Sequence, residues 1–383
     1  MLASNWMIIN QKIQPIGLDI GQSSVKIVQM ALAADRIKIL AAGRAPVDPG
    51  LACDSPERRK ALVLAVTQLL SEGDFRGRNV ISALPFDRLK MTSLRLPEAE
   101  SGETDESIRR EAAERFGLDL KNDAINYIFA GAVHQGDELK NEYIVLAADS
   151  AAIGSHIASL EEMGLTPVGI DAAPCALFRT FERMMRRQED KEKTIIVLDV
   201  GRRYTVVVFG RAGEICFAKH IPIGMGRFNE EIASTLGIAA ADAELLRRRL
   251  QRDEPIEAST RCHIVDALNR VAEQLAGEVS LCLRYYTVTF RGKRVERAVI
   301  AGGGAYDQVL RDVLRRHLSV EMEIAEPLRG FDIGNDKIQR DLGNGSADLA
   351  LAVGLSLKQS NTSAWVEAEP TEQPVPVLEG EAP

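Results

Sequence analysis

Gly17-Leu18-Asp19-Ile20-Gly21-Gln22-Ser23-Ser24-Val25-Lys26 and Val197-Leu198-Asp199-Val200-Gly201-Arg202-Arg203-Tyr204-Thr205 carry one pattern: an apolar strand, an Asp at its end, and a Gly two residues later. Each apolar run reads as a buried strand, and the Gly permits a turn that a side chain would block. Both copies continue in the same way. A second strand (Val25 to Met30; Thr205 to Phe209) is followed by a polar break and a third strand (Ile37 to Ala41; Glu214 to Ala218). A single Asp-x-Gly is ordinary hairpin chemistry, but two copies in the same supersecondary setting are a repeat. Such a turn points consecutive backbone N–H groups at one spot, a nest for phosphate oxygens, and an Asp beside it suits a hydrated Mg²⁺. The candidate phosphate-binding residues are therefore Asp19, Gly21, Gln22, Ser23 and Ser24 in one copy and Asp199, Gly201, Arg202, Arg203 and Thr205 in the other. Lys26 adds a point positive charge. Asp19 and Asp199 are the candidate metal residues, acting through water.

A third element is Ala298-Val299-Ile300-Ala301-Gly302-Gly303-Gly304, a short apolar strand running into three glycines, then a helix expected from about Tyr306 to Leu318. Gly302, Gly303 and Gly304 let backbone approach a flat ligand, and the N–H groups that open the helix face the same way. Taken alone, such a loop is also a plain strand-to-helix connection.

The chain has 383 residues, of which 45% are hydrophobic and 27% charged, so at least two globular lobes are expected. A net charge of −8 gives no basic field for nucleic acid. The five cysteines are odd in number and never in Cys-x-x-Cys, which argues against a zinc site or a disulfide framework and fits a reducing cytoplasm. The five histidines show no pair at ligand spacing, and no Gly-x-x-x-x-Gly-Lys-Ser/Thr loop is present. No apolar run is long enough to span a membrane, so direct membrane insertion is not expected.

The expected organisation is an N-terminal extension over 1–14, a first lobe over 15–190 and a second lobe over 191–345. A helix over 346–358 returns to the first lobe, and a disordered acidic tail covers 359–383. Within the first lobe, 79–148 reads as a small βαββ insert. The charged run Arg186 to Lys193 reads as the hinge between the lobes. The helix Ile264 to Tyr286 has apolar residues three and four apart and reads as core.

In this order the motifs resemble the phosphate-1, phosphate-2 and adenosine motifs of the actin-like ATPase superfamily, at Asp19 to Lys26, Asp199 to Thr205 and Gly302 to Gly304. The implied fold is α/β: an actin-like ATPase fold of two related lobes around a nucleotide cleft. The βαββ insert, with Val80-Ile81-Ser82-Ala83-Leu84-Pro85, Gly164 to Asp171, Ile223-Gly224-Met225-Gly226 and Ala350 to Leu357, is similar to the FtsA and PilM families and closest to PilM. The resemblance implies a cytoplasmic scaffold of a type IV pilus or related secretion assembly, peripheral at the inner membrane through partners. It would bind ATP and Mg²⁺ and capture the N-terminal peptide of a PilN-like inner-membrane protein, alongside other pilus assembly proteins. It also implies Glu244 and Arg247 at the nucleoside, although without the resemblance the two read as an ordinary exposed pair on an arginine-rich helix. Gln22, Arg202, Arg203 and Tyr204 depart from the small residues usual in the phosphate loops.

Two other functions share this fold. An active ATPase or small-molecule kinase needs a group that orients water or accepts a proton, for which Asp19, Asp171 and Asp199 are candidates, with Asp171 also read as a helix cap. An FtsA-like filament protein would carry a C-terminal amphipathic membrane helix, which Pro370, Pro374 and Pro376 disfavour.

Overall fold

A computed structural model describes residues 12–32, 36–98, 101–136, 138–182, 193–290, 294–333, 338 and 345–358. The expectations for the hinge run and the acidic tail, and for residues 1–11 of the extension, fall outside this set.

The first lobe opens with β1 (Lys12–Ile13), β2 (Ile16–Ile20), β3 (Ser24–Leu32) and β4 (Ile37–Pro46), followed by α1 (Pro56–Glu72) and β5 (Asn79–Ala83). An insert of β6 (Lys90–Pro97), α2 (Ser101–Phe116), β7 (Ala124–Gln135) and β8 (Glu138–Ala148) comes next, then α3 (Ser150–Glu162), β9 (Thr166–Asp171) and α4 (Ala173–Glu182). The second lobe holds β10 (Thr194–Val200), β11 (Thr205–Arg211), β12 (Glu214–Ile221), α5 (Met225–Leu236), α6 (Ala240–Gln251), α7 (Ala258–Thr289), β13 (Val295–Ala301), α8 (Gln308–Leu318) and β14 (Glu321–Ile324). β15 (Asp332–Ile333) and α9 (Ala350–Ser356) close the chain.

Two sheets carry the repeat. The first runs β15-β4-β3-β2-β5-β9 with β1 paired to β3; the second runs β12-β11-β10-β13-β14. Each contains an antiparallel three-strand meander (β2-β3-β4; β10-β11-β12) extended by a parallel strand beside the Asp-bearing one. The turns match bond for bond: Gly21 N–H donates to the Ser24 carbonyl at 3.0 Å, and Gly201 N–H to the Tyr204 carbonyl at 3.1 Å.

Three boundaries differ from the sequence reading. Asn79–Ala83 is not part of the insert; it lies in the first sheet between β2 and β9. Val80, Ile81 and Ser82 are buried, as a parallel strand covered on both faces must be. The insert sheet is only β6-β8-β7, whose inner face packs Leu94, Tyr143 and Val145 on Ile108 and Ala112 of α2. The chain also returns to the first lobe earlier than residue 346. β15 pairs with β4, and Leu328, Phe331 and Ile338 complete an apolar cluster with Val28, Met30 and Ile39. Finally, Lys12–Ile13, placed in the extension, is a strand edge on β3.

α9 carries an unbroken buried run from Ala350 to Ser356. It fits so closely that a Cβ on Gly17 would sit 2.0 Å from the Ala352 carbonyl oxygen, and one on Gly354 1.8 Å from that of Ala176. α7 buries Ile264, Leu268, Val271, Leu275, Val279, Cys282 and Tyr286 in the second-lobe core. No helix among the described residues is long and apolar enough to cross a membrane.

The insert reaches the second lobe. Arg95 on β6 donates to Glu142 on β8 at 2.6 Å and to Thr289 on α7 at 3.1 Å, while the Tyr285 hydroxyl on α7 donates to Glu142 at 2.5 Å. Glu142 is 1% exposed while Arg95 stays partly open to solvent, so the tie between insert and second lobe is anchored on a buried carboxylate.

Candidate functional site

One cavity of about 610 Å³ lies where the two hairpin turns meet the glycine strand. Asp19, Gly21, Gln22, Ser23, Ser24 and Lys26 line it from the first lobe; Asp199, Gly201, Arg202, Arg203, Glu244, Arg247, Gly302 and Gly303 line it from the second. Thr205 and Gly304 do not. Thr205 is fully buried, with its hydroxyl donated to the Ile223 carbonyl at 2.7 Å. Gly304 is a packing glycine, since a Cβ there would lie 2.6 Å from Val200 Cγ1.

The glycine strand splits its work. Gly302 (φ +81°) has room for no Cβ, which would meet the Val200 carbonyl at 2.5 Å and Asp199 Oδ1 at 2.6 Å. It brings the second hairpin close; it does not itself open space for a ligand. Gly303 has nothing within 4 Å of its would-be Cβ and faces the cavity.

Register sets the electrostatics. Asp19 lies opposite Lys26 in the first hairpin, and Lys26 Nζ donates to Asp19 Oδ2 at 2.9 Å. In the second hairpin the position opposite Asp199 is Val206. Burial alone would lower the Lys26 pKa, but the facing Asp19 outweighs it and the ammonium ends above its ordinary value. Asp199, lacking such a partner, is pushed up to about 7 by burial and by the nearby Asp19 and Asp348 carboxylates.

Two residues that the sequence reading passed over belong to this site. Arg58, 4% exposed near the start of α1, donates to the carbonyls of Gly21 at 2.8 Å and Gln22 at 3.1 Å. By holding these carbonyls on its own side it leaves the other side of the turn free for backbone N–H donors. Its only sequence signal is the Ser55-Pro56 start of α1, where Ser55 accepts from Arg58 N–H. Asp348, in the helical turn before α9, also lines the cavity. Its Oδ2 pairs with Arg44 at 3.3 Å, and its buried Oδ1 has no partner among the described residues. In sequence it resembles an ordinary polar residue before a helix.

The departures from the usual loops have visible causes. Gln22 turns away to donate to the Pro49 carbonyl at 3.1 Å. Arg202 forms an ion pair with Glu244 at 2.6 Å, and Glu244 also accepts from Arg248 and from Asn229. Arg247 is buried, bonded through Nε to Asn229 at 2.8 Å and 3.7 Å from Asp307. The pair Glu244 and Arg247 is thus a fixed network rather than an exposed patch. Arg203 crosses to the first lobe, 3.1 Å from Cys53 Sγ and 3.6 Å from Asp87. Beside it Tyr204 stacks on Phe86 of the first lobe at 4.5 Å, a second contact across the cleft. Asp171 lies outside the cleft, held by Arg179 at 3.0 Å, Lys358 at 3.2 Å and the Ala172 N–H. As a candidate to orient water or accept a proton in the cleft it is therefore excluded. Among the described residues no group of three or more His, Cys, Asp or Glu is placed to hold a metal ion directly.

The family model for the type IV pilus assembly protein PilM matches residues 17–360. The chain belongs to the PilM family. Its structure is similar to that of a PilM–PilN type IV pilus biogenesis complex, with TM-score 0.72 and 24% identity over 90% of this chain and 98% of that one. It is also similar to the ethanolamine utilization protein EutJ from Carboxydothermus hydrogenoformans, with TM-score 0.52 and 15% identity over 90% and 89% of the two chains. The fold is the actin-like ATPase fold, and PilM membership gives the chain a role in type IV pilus assembly.

Proposed function

We propose that this chain is an ATP-binding scaffold of the pilus inner-membrane assembly, which holds the N-terminal cytoplasmic peptide of a PilN-like membrane protein. The observation that carries the nucleotide reading is the convergence of both Asp-Gly turns, from separate sheets, on one cavity with Gly303 open beside them. The residues fit a triphosphate: two turns offer backbone N–H groups, Lys26 a cation, and Asp19 and Asp199 carboxylates for a hydrated Mg²⁺, which would supply charge neutralisation at the phosphates. Asp348 lines the same space, with its buried Oδ1 lacking a partner among the described residues. Glu244 suits ribose hydroxyls.

A second groove of about 340 Å³ lies between insert and first lobe, lined mainly by apolar side chains including Leu84, Leu89, Leu146, Ile153 and Val168. It suits an extended apolar peptide. The insert is tied to α7 through Glu142, the contact through which a change in lobe angle would reach this groove. Of the three groups that could serve turnover, Asp19 is engaged by Lys26, Asp171 faces the groove and Asp199 is taken up by the hydrated Mg²⁺ on this reading, which favours a scaffold over an enzyme of sustained turnover. Attachment to the membrane is then indirect, through the partner.

The test is a calorimetric titration of the protein with a synthetic peptide of the PilN-like partner's cytoplasmic N-terminus, with and without Mg-ATP, followed by a phosphate-release assay. Peptide binding that Val168→Asp removes, with no multiple turnover, supports the proposal. Steady phosphate release or absence of peptide binding contradicts it.

A further inference from the structure

β9 is the last strand of the first sheet, and among the described residues no strand pairs with its outer side. The Asp171 carbonyl faces inward, accepting from Leu84 N–H of the β5 side at 3.0 Å. Along a strand these groups alternate, so the Ile170 carbonyl points outward. It is met there by Lys358 Nζ at 3.3 Å. Lys358 also lines the apolar groove, and Val168 on the same edge is 41% exposed. An open edge beside an apolar groove is a template for an added strand.

The chain continues from Lys358, at that edge, into 25 more residues, 359–383. These contain Pro374-Val375-Pro376-Val377-Leu378. In a strand, Val375 and Val377 turn their N–H and C=O groups to one side and their side chains to one face, while Pro374 and Pro376 turn their missing donors to the other side. That pattern can pair on one side only, which is what a new outermost strand requires. Sixteen residues lie between Lys358 and Val375, and the random-coil average span for that many residues is about 22 Å. The reach is sufficient.

We propose that Pro374–Leu378 docks on the outer edge of β9, with Val375 and Val377 over the groove, so that the chain's own C-terminal segment competes with any peptide for this surface. Only the competition rests on the peptide reading above; the docking does not. Tethering gives the segment an effective concentration of about 1 mM, enough to hold the groove against a free copy of itself.

The experiment uses the full chain and its Val375→Asp/Val377→Asp variant. Hydrogen exchange of the stretch 166–171 should speed up by about tenfold in the variant. A synthetic Thr371–Gly380 peptide should bind the variant at least about tenfold more tightly than the unaltered chain, whose groove is filled in cis. Adding Val168→Asp, at a half-exposed position, should abolish that binding. Equal exchange in both proteins, or equal affinity for the added peptide, overturns the proposal; so does protection that grows with protein concentration, which would mean docking onto a second copy. If a PilN-like peptide binds while exchange is unchanged, this proposal falls and the peptide reading stands. The expected exchange and self-peptide results with no partner binding would do the reverse.

Discussion

Asp19 and Asp199 occupy equivalent positions in two matched hairpins, yet only Asp19 has a lysine opposite it. The two halves of the repeat therefore differ in charge: one turn carries a carboxylate paired with a lysine, the other a carboxylate facing a valine.

That asymmetry predicts a pH dependence. Asp199 titrates at about 7 in the fold against an ordinary 3.8. Its neutral form stabilises the fold fully below about pH 4, and this contribution is lost as pH rises through 7. Without ligand, the wild-type melting temperature should fall relative to Asp199→Asn across that window, leaving the variant higher by about 3 °C or more at pH 8. Melting curves at pH 5 and pH 8 check this. Mg-nucleotide affinity should rise over the same interval, because the cation needs the ionised carboxylate.

Lys26 is needed as Asp19's partner. Lys26→Met should cost about 3–5 kcal/mol by leaving a buried charge unpaired, and adding Asp19→Asn should recover most of it. Denaturant titration of the single and double variants decides the point.

Arg58 acts on the turn from behind. Arg58→Ala should cost about 2 kcal/mol, since two charge-assisted bonds to backbone carbonyls are lost. It should also weaken Mg-ATP binding beyond that of Arg58→Lys, by calorimetry.

Much of this was legible in advance. Asp-x-Gly after an apolar strand is a local signal, so both turns and the glycine strand could be placed from residues alone, as could α7 from its buried three-four spacing. What escaped depends on long-range partners. Asn79–Ala83 carries no mark of which sheet receives it; only the neighbouring β2 and β9 decide that. Thr205 keeps a hydroxyl in the motif, but the Ile223 carbonyl consumes it. Arg58 and Asp348 join the site through backbone carbonyls and an arginine that lie 36 to 304 residues away in the chain.

On the proposed reading Glu244 serves the ribose, so Glu244→Gln should weaken ATP by about tenfold, the worth of one charge-assisted hydrogen bond, and weaken inorganic triphosphate less, through the loosened Arg202 alone. Competition titrations with both ligands measure it.

The tie between insert and second lobe is also open to measurement. Tyr285→Phe should cost about 1 kcal/mol and Glu142→Ala about 2 kcal/mol, because the latter removes the carboxylate that both Arg95 and Tyr285 bond. Equilibrium unfolding of the two variants gives both values.

The central claim is that the two turns share one nucleotide. Calorimetric titration of the wild-type chain and of Asp199→Ala with Mg-ATP tests it most directly. One nucleotide per wild-type chain, and none for a variant whose circular dichroism is unaltered, is the predicted result; equal affinity in the two proteins would contradict it.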